Sequence, residues 1–155
     1  MRATIRAALA DDAPSLAAIR QAQGWESASV PGQLAAQAAG QRTILVAEDA
    51  VEVGGTVTLE GHCPERPDLA DGATVAHIND RAVLPGVQRR GVGSLLMDAA
   101  EAWAHARPVQ RVAAQVPDSL PHVLRECLKR GYTDTGERDG FHVLALWLPA
   151  AGVSR

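Results

Sequence analysis

Residues whose types and spacing suit chemistry gather between Val83 and Met97, in VLPGVQRRGVGSLLM. An apolar run ends at Pro85-Gly86. Gln88, Arg89 and Arg90 follow, and Gly91 and Gly93 flank Val92 ahead of Ser94 and a new apolar stretch. A strand that turns straight into a helix leaves unbonded backbone N–H groups at the helix start, and the helix dipole adds partial positive charge there. Such an end receives phosphate. Glycine lets the backbone come close to a ligand, because no Cβ stands in the way. Arg89 and Arg90 add positive charge for a polyanion. The stretch is therefore expected to cradle a pyrophosphate. Two common phosphate loops do not match. A Walker loop needs Gly-Lys-Ser/Thr, which this chain lacks, and the dinucleotide fingerprint G-x-G-x-x-G needs a third glycine where Leu96 stands.

The elements around the loop must hold it in place. Thr4 to Ala7 reads as a short strand. Asp11 or Asp12 can cap a helix with Pro14 in its first turn, and Leu16, Ile19 and Ala22 or Gln23 set its apolar stripe. GWESASVPG reads as a loop, and Gln33 to Gln41 as a short second helix. TILVAE (43–48) and Val53 to Leu59 are strands by β-branched content, joined as a hairpin. After a polar loop, Ala73 to Leu84 reads as a long strand feeding the glycines. Gly91 to Arg107 is a helix with Leu95, Ala99, Trp103 and Ala106 on one face. Val109 to Val116 is a strand and Ser119 to Arg130 a helix, with Pro121 near its start and Gly131 at its end. Tyr132 to Arg138 and Phe141 to Leu148 form a hairpin turning at Asp139-Gly140. The order β-α-α-β-β-β-α-β-α-β-β predicts an α/β (α+β mixed) fold: a mixed sheet with helices on its faces.

The totals bound the function. A chain of 155 residues with 46% apolar content suits one domain, residues 1–149, with 150–155 as a loose tail. Aromatics are scarce at 3%, so small aliphatics build the core. A net charge of −3 argues against nucleic acid or a membrane surface as partner. Cys63 and Cys127 make neither a disulfide framework nor zinc spacing, and no metal site is expected. No run approaches the ~20 apolar residues of a membrane span, and the N-terminus is too polar for a signal peptide, so a cytoplasmic location is expected.

Gln88, Gly91 and Gly93 match Q/R-x-x-G-x-G/A, and the match extends outward through Val83, Pro85 and Leu95-Leu96. With the element order, this resembles the GNAT superfamily, the Gcn5-related N-acetyltransferases, over nearly the whole chain. The resemblance implies a central, mixed, largely antiparallel seven-stranded sheet flanked by about four helices. It implies acetyl-CoA as acyl-donor substrate, with its pyrophosphate on the backbone amides of Gln88, Arg89, Arg90, Gly91, Val92, Gly93 and Ser94. Ala82, Val83 and Leu84 would run beside the pantetheine arm, with an N–H near Val83 facing the thioester oxygen. A bulge would splay that strand from Val109 to Val116.

The implied reaction is N-acetylation of a primary amine by direct attack in a ternary complex. The amine must lose a proton. His77, fourteen residues before Gly91, falls where histone-acetylating relatives carry a glutamate, and histidine suits proton transfer near neutral pH. It is the expected base; Asp80 is weaker, and nothing marks out His122 or His142. By strand alternation His77, Asn79, Arg81 and Val83 share a face opposite Ile78, Asp80 and Ala82, unless a bulge intervenes. The family's acid is a tyrosine four residues before a Gly-Phe/Tyr pair. In ECLKRGY that position is Cys127, either a substitute acid or core filler. In this fold the first inter-helix loop walls the acceptor. Trp25 and Glu26 lie there and could hold a cationic amine, whereas Trp25 could equally be a lid on the core. The acceptor is expected to be a small molecule or peptide amine, and a homodimer is plausible. The alternatives are a non-catalytic acyl-CoA sensor or interaction module, an acyltransferase with another donor, or one making an O-acyl product.

Overall fold

The computed structural model describes residues 3–149, the side chains of residues 88–90 excepted. The expected tail, 150–155, lies outside the described residues. Seven strands and four α-helices follow the expected order: β1 (Thr4–Ala7), α1 (Ala13–Ala22), α2 (Val30–Ala38), β2 (Thr43–Glu48), β3 (Val53–Glu60), β4 (Val75–Val83), α3 (Val92–His105), β5 (Arg111–Pro117), α4 (Pro121–Lys129), β6 (Thr133–Arg138) and β7 (Phe141–Trp147). The sheet order is β1-β2-β3-β4-β5-β7-β6. It is mostly antiparallel, with β4 and β5 running parallel through the α3 crossover. Among the described residues no helix is long and apolar enough to cross a membrane.

The chain packs as two compact units, residues 3–59 with 80–100 and residues 60–79 with 101–149. In the first, Leu16, Ile19, Val30, Ile44, Val46 and Ala82 share one apolar cluster, with Trp25 packed against it. Asp12 precedes α1 as expected, but its carboxylate makes no cap bond to the helix. It accepts from the Leu9 N–H (2.6 Å) and from both terminal nitrogens of Arg6 (2.8 and 2.9 Å), which also reaches Glu48. α2 starts at Val30, three residues before the expected Gln33, because Pro31 sits in its first turn, where the missing N–H costs nothing.

The buried face of α3 is also corrected. Leu96, Met97 and Ala100 are fully buried, whereas Leu95 and Ala99 are half-buried, Trp103 likewise, and Ala106 exposed. The cause lies on β3. A Cβ at Gly55 would stand 3.0 Å from both Leu96 and Val92, so the helix seats those side chains where the strand has none.

In the second unit β5 pairs with β7 from Arg111↔Trp147 to Pro117↔Phe141, and β7 pairs with β6. Asp139 (φ 54°) and Gly140 (φ 83°) make the expected tight turn, with positive φ at both central residues. Leu69, Val75 and Ala113 form its apolar centre, with Val143 against them. β4 starts at Val75 rather than Ala73. The Asp71 carboxylate accepts from the backbone N–H groups of Ala73, Thr74 and Val75 and from the Thr74 hydroxyl, which holds that segment in a turn.

Candidate active site

The glycine loop begins where β4 ends. Leu84 N–H donates to Gly54 C=O (2.8 Å) and Val87 N–H to Leu84 C=O (3.0 Å), and a 3-10 turn runs from Pro85 to Arg90. Gly91 has φ +75°, in the region that L side chains avoid. α3 then starts, with Leu95 N–H donating to Gly91 C=O at 3.1 Å. Val92, Gly93 and Ser94 stand at the helix entrance, where α-helical acceptors run out. Gly93 is backed by Arg81: a Cβ there would lie 2.8 Å from the Arg81 Cζ, deep in van der Waals overlap. The side chains of Gln88, Arg89 and Arg90 lie outside the described residues.

β4 carries an irregularity just before the loop. Asp80 has φ +51°, rare for a side chain with a Cβ, so simple alternation does not run through the strand. Arg81 reaches Gly93 of α3, while Ala82 lies in the apolar cluster with α1. Asp80 pairs with Arg20 of α1 (3.4 Å). That arginine is a residue the sequence reading missed. It donates to Glu26 C=O (2.6 Å), pairs with the Glu26 carboxylate (3.3 Å), and lies 5.3 Å from the Trp25 ring centre. Arg20 thus ties the expected acceptor loop, Trp25 and Glu26, to the irregular part of β4. Glu26 also accepts from the Ser29 hydroxyl and N–H, and these bonds hold its carboxyl below the usual carboxylate range. The Val83 carbonyl accepts from Gln23 Nε2 at 3.3 Å.

His77 and Cys127 belong to the second unit. His77 is 2% exposed; its Nδ1 lies 3.1 Å from Glu60 Oε1, also buried. His77 Nε2 and Asn79 Oδ1 are buried without a hydrogen-bond partner among the described residues. The parallel ladder of β4 on β5 runs from Val75↔Arg111 to Ile78↔Ala114. Cys127 is 1% exposed on α4, and its carbonyl accepts from Tyr132 N–H (3.1 Å). The Tyr132 hydroxyl donates to Glu101 (3.0 Å), which also takes Arg130 Nε (2.8 Å). Burial first, then the Glu101 charge, pushes that phenol well above its ordinary range. His122 is exposed. His142 is held between Asp134 (2.9 Å) and Asp118 (3.2 Å). Asp118, Glu137 and His142 bring ligand atoms within 4.8 Å of one another, largely in solvent.

A family model described as "Acetyltransferase (GNAT) family" matches residues 9–132. The chain belongs to the GNAT acetyltransferase family. GNAT membership makes it an acyltransferase, working by acyl-CoA-dependent acetyl transfer with acetyl-CoA as donor; the family acts on amine acceptors. The match takes in the glycine loop, His77 and Cys127 and stops before β6. Solved GNAT-like structures share the fold. Ard1 from Thermoplasma volcanium is 21% identical, over 96% of this chain and 99% of its own, with a TM-score of 0.76. The GNAT domain of S. lividans PAT is 23% identical, over 94% and 90%, also at 0.76. The yncA protein of Salmonella typhimurium, solved with its cofactor acetyl-CoA, is 18% identical, over 100% and 99%, again at 0.76. A comparison with curated proteins finds no match.

Proposed function

We propose that this chain acetylates a primary amine of a small molecule or peptide by direct attack in a ternary complex. The observation that carries the reading is the entry into α3: a left-handed Gly91, then Gly93 at the first helical turn. Gly91 takes the positive φ that the turn into the helix requires, Gly93 leaves room for Arg81 beside that turn, and the backbone N–H groups of the helix entrance are where a pyrophosphate would come, so the residues fit the group. The amides from Gln88 to Ser94 hold the pyrophosphate, and Ala82, Val83 and Leu84 flank the pantetheine arm. Bound acetyl-CoA supplies a thioester carbonyl as electrophile: the amine nitrogen bonds to its carbon as the carbon–sulfur bond breaks, and coenzyme A departs as a thiolate that takes up the second proton released by the acetylated nitrogen.

His77 is the base. Most amines have pKa values of about 8 to 10 and are protonated at neutral pH, so one proton must go to His77 Nε2 before the nitrogen can attack. Trp25 and Glu26 wall the acceptor, with Arg20 fixing both. Cys127 lies with Val123 on the buried face of α4, which favours a packing role over proton donation. A coenzyme A thiolate leaves without an acid.

The test is steady-state release of free coenzyme A thiol across a panel of primary amines: amino acids, polyamines and short peptides. An amine-dependent rate that falls at least tenfold in His77→Gln supports the reading. Thiol release with no amine dependence overturns it.

A further inference from the structure

We infer that Glu60 is a positioning residue for His77: it holds the imidazole with its proton on Nδ1, so that Nε2 and Asn79 Oδ1 together present two acceptors to one amine. The inference rests on the reading of His77 as base and names what sets that base up.

Glu60 Oε1 is 3.1 Å from His77 Nδ1, and both residues are buried, at 7% and 2% exposure. With Glu60 ionised, its carboxylate only accepts, and Nδ1 is then the nitrogen that carries the proton. In the neutral ring Nε2 then holds a lone pair, and it has no partner among the described residues. Asn79 Oδ1, two residues on, is a second buried acceptor without one. Both residues precede the left-handed Asp80, so the two-residue alternation puts them on one face of β4. β5 sets only apolar Ala113 opposite His77. Leaving two buried acceptors unmet is costly, and one species with two hydrogen donors satisfies both. A protonated amine is such a species. One N–H faces Nε2 and another faces Asn79 Oδ1. On transfer the proton passes to Nε2, the N–H electron pair stays on the amine nitrogen, and the imidazolium formed faces the Glu60 carboxylate. Without Glu60 the ring can turn to the Nε2–H tautomer, which sets a donor where the base must be.

The first readout needs no substrate. Long-range nitrogen–proton NMR correlation on the 15N-histidine-labelled protein reports which ring nitrogen of His77 is protonated. Wild type is expected to show Nδ1–H, Glu60→Leu to lose that preference, and Glu60→Gln, which still offers an acceptor, to keep it. Turnover with the best amine of the panel should drop at least tenfold in Glu60→Leu, part of the roughly 10²–10⁴ that a placed base contributes, and should largely return in Glu60→Gln. An Nε2–H tautomer in wild type, or a folded Glu60→Leu with tautomer and turnover both unchanged, overturns the inference. Wild-type turnover in His77→Gln would instead refute His77 as base, whatever the tautomer proves to be, so the two failures are separable.

Discussion

The Arg81 guanidinium occupies the space that a side chain on Gly93 would need: the Cζ of Arg81 is 2.8 Å from the place of that Cβ. One residue of β4 thus braces the first turn of α3. Gly93→Val should push Arg81 aside and set a branched side chain against the pyrophosphate cradle. Acetyl-CoA affinity is expected to fall at least tenfold, about 1.4 kcal/mol. Adding Arg81→Ala relieves the clash but leaves the valine, so affinity should stay low in the double variant. Full recovery there would mean that Gly93 serves only to seat Arg81. Isothermal titration of the two variants checks this.

Gly91 acts through its backbone. A Cβ there would meet nothing within 4 Å among the described residues, yet its φ is +75°. Gly91→Ala is therefore expected to lose about 1–2 kcal/mol of stability from conformation alone, and Gly91→Asn less, since asparagine tolerates that region. Urea denaturation of both variants tests the order. Equal losses would contradict it.

Asp12 ties Arg6 to the start of α1. The Arg6 hydrogen bonds hold its carboxyl below the ordinary value, against a smaller opposing effect of burial. A lowered folded pKa contributes stability above the unfolded value, near 3.9, and that stability is lost as pH falls through the folded one. Asp12→Asn should cost about 2 kcal/mol at neutral pH, with the two proteins converging in acid. A gap that persists unchanged at pH about 2 would argue against the ion pair.

Tyr132 is the single tyrosine of the chain. Its pKa is raised by burial and by Glu101, so the neutral phenol contributes stability below about pH 10 that is lost as pH rises through the folded value. The tyrosinate absorbance should emerge only together with unfolding. A smooth titration near pH 10 in the folded protein would contradict the Tyr132–Glu101 bond.

Local signals carried most of the element order. TILVAE matched β2 end to end, and the Asp139-Gly140 turn was readable because few other pairs accept positive φ at both residues. Side-chain partnerships were not legible. Glu60 and His77 are 17 residues apart, and Arg20 and Asp80 are 60 apart. Such pairs depend on strand register and on helix placement over the sheet, which no window of sequence encodes. The expected third strand stopped at Leu59, one residue short of Glu60, so the partner of His77 was left outside the sheet. The off-by-one face of α3 has the same root, since Gly55 on another element decides which stripe is seated.

The most direct test of the central claim is calorimetric titration of acetyl-CoA into the folded protein. One-site binding, weakened at least tenfold in Gly93→Val, is the predicted result. Absence of binding in a folded sample, or binding that Gly93→Val leaves untouched, would contradict the assignment of the Gly91–Gly93 loop as the donor's cradle.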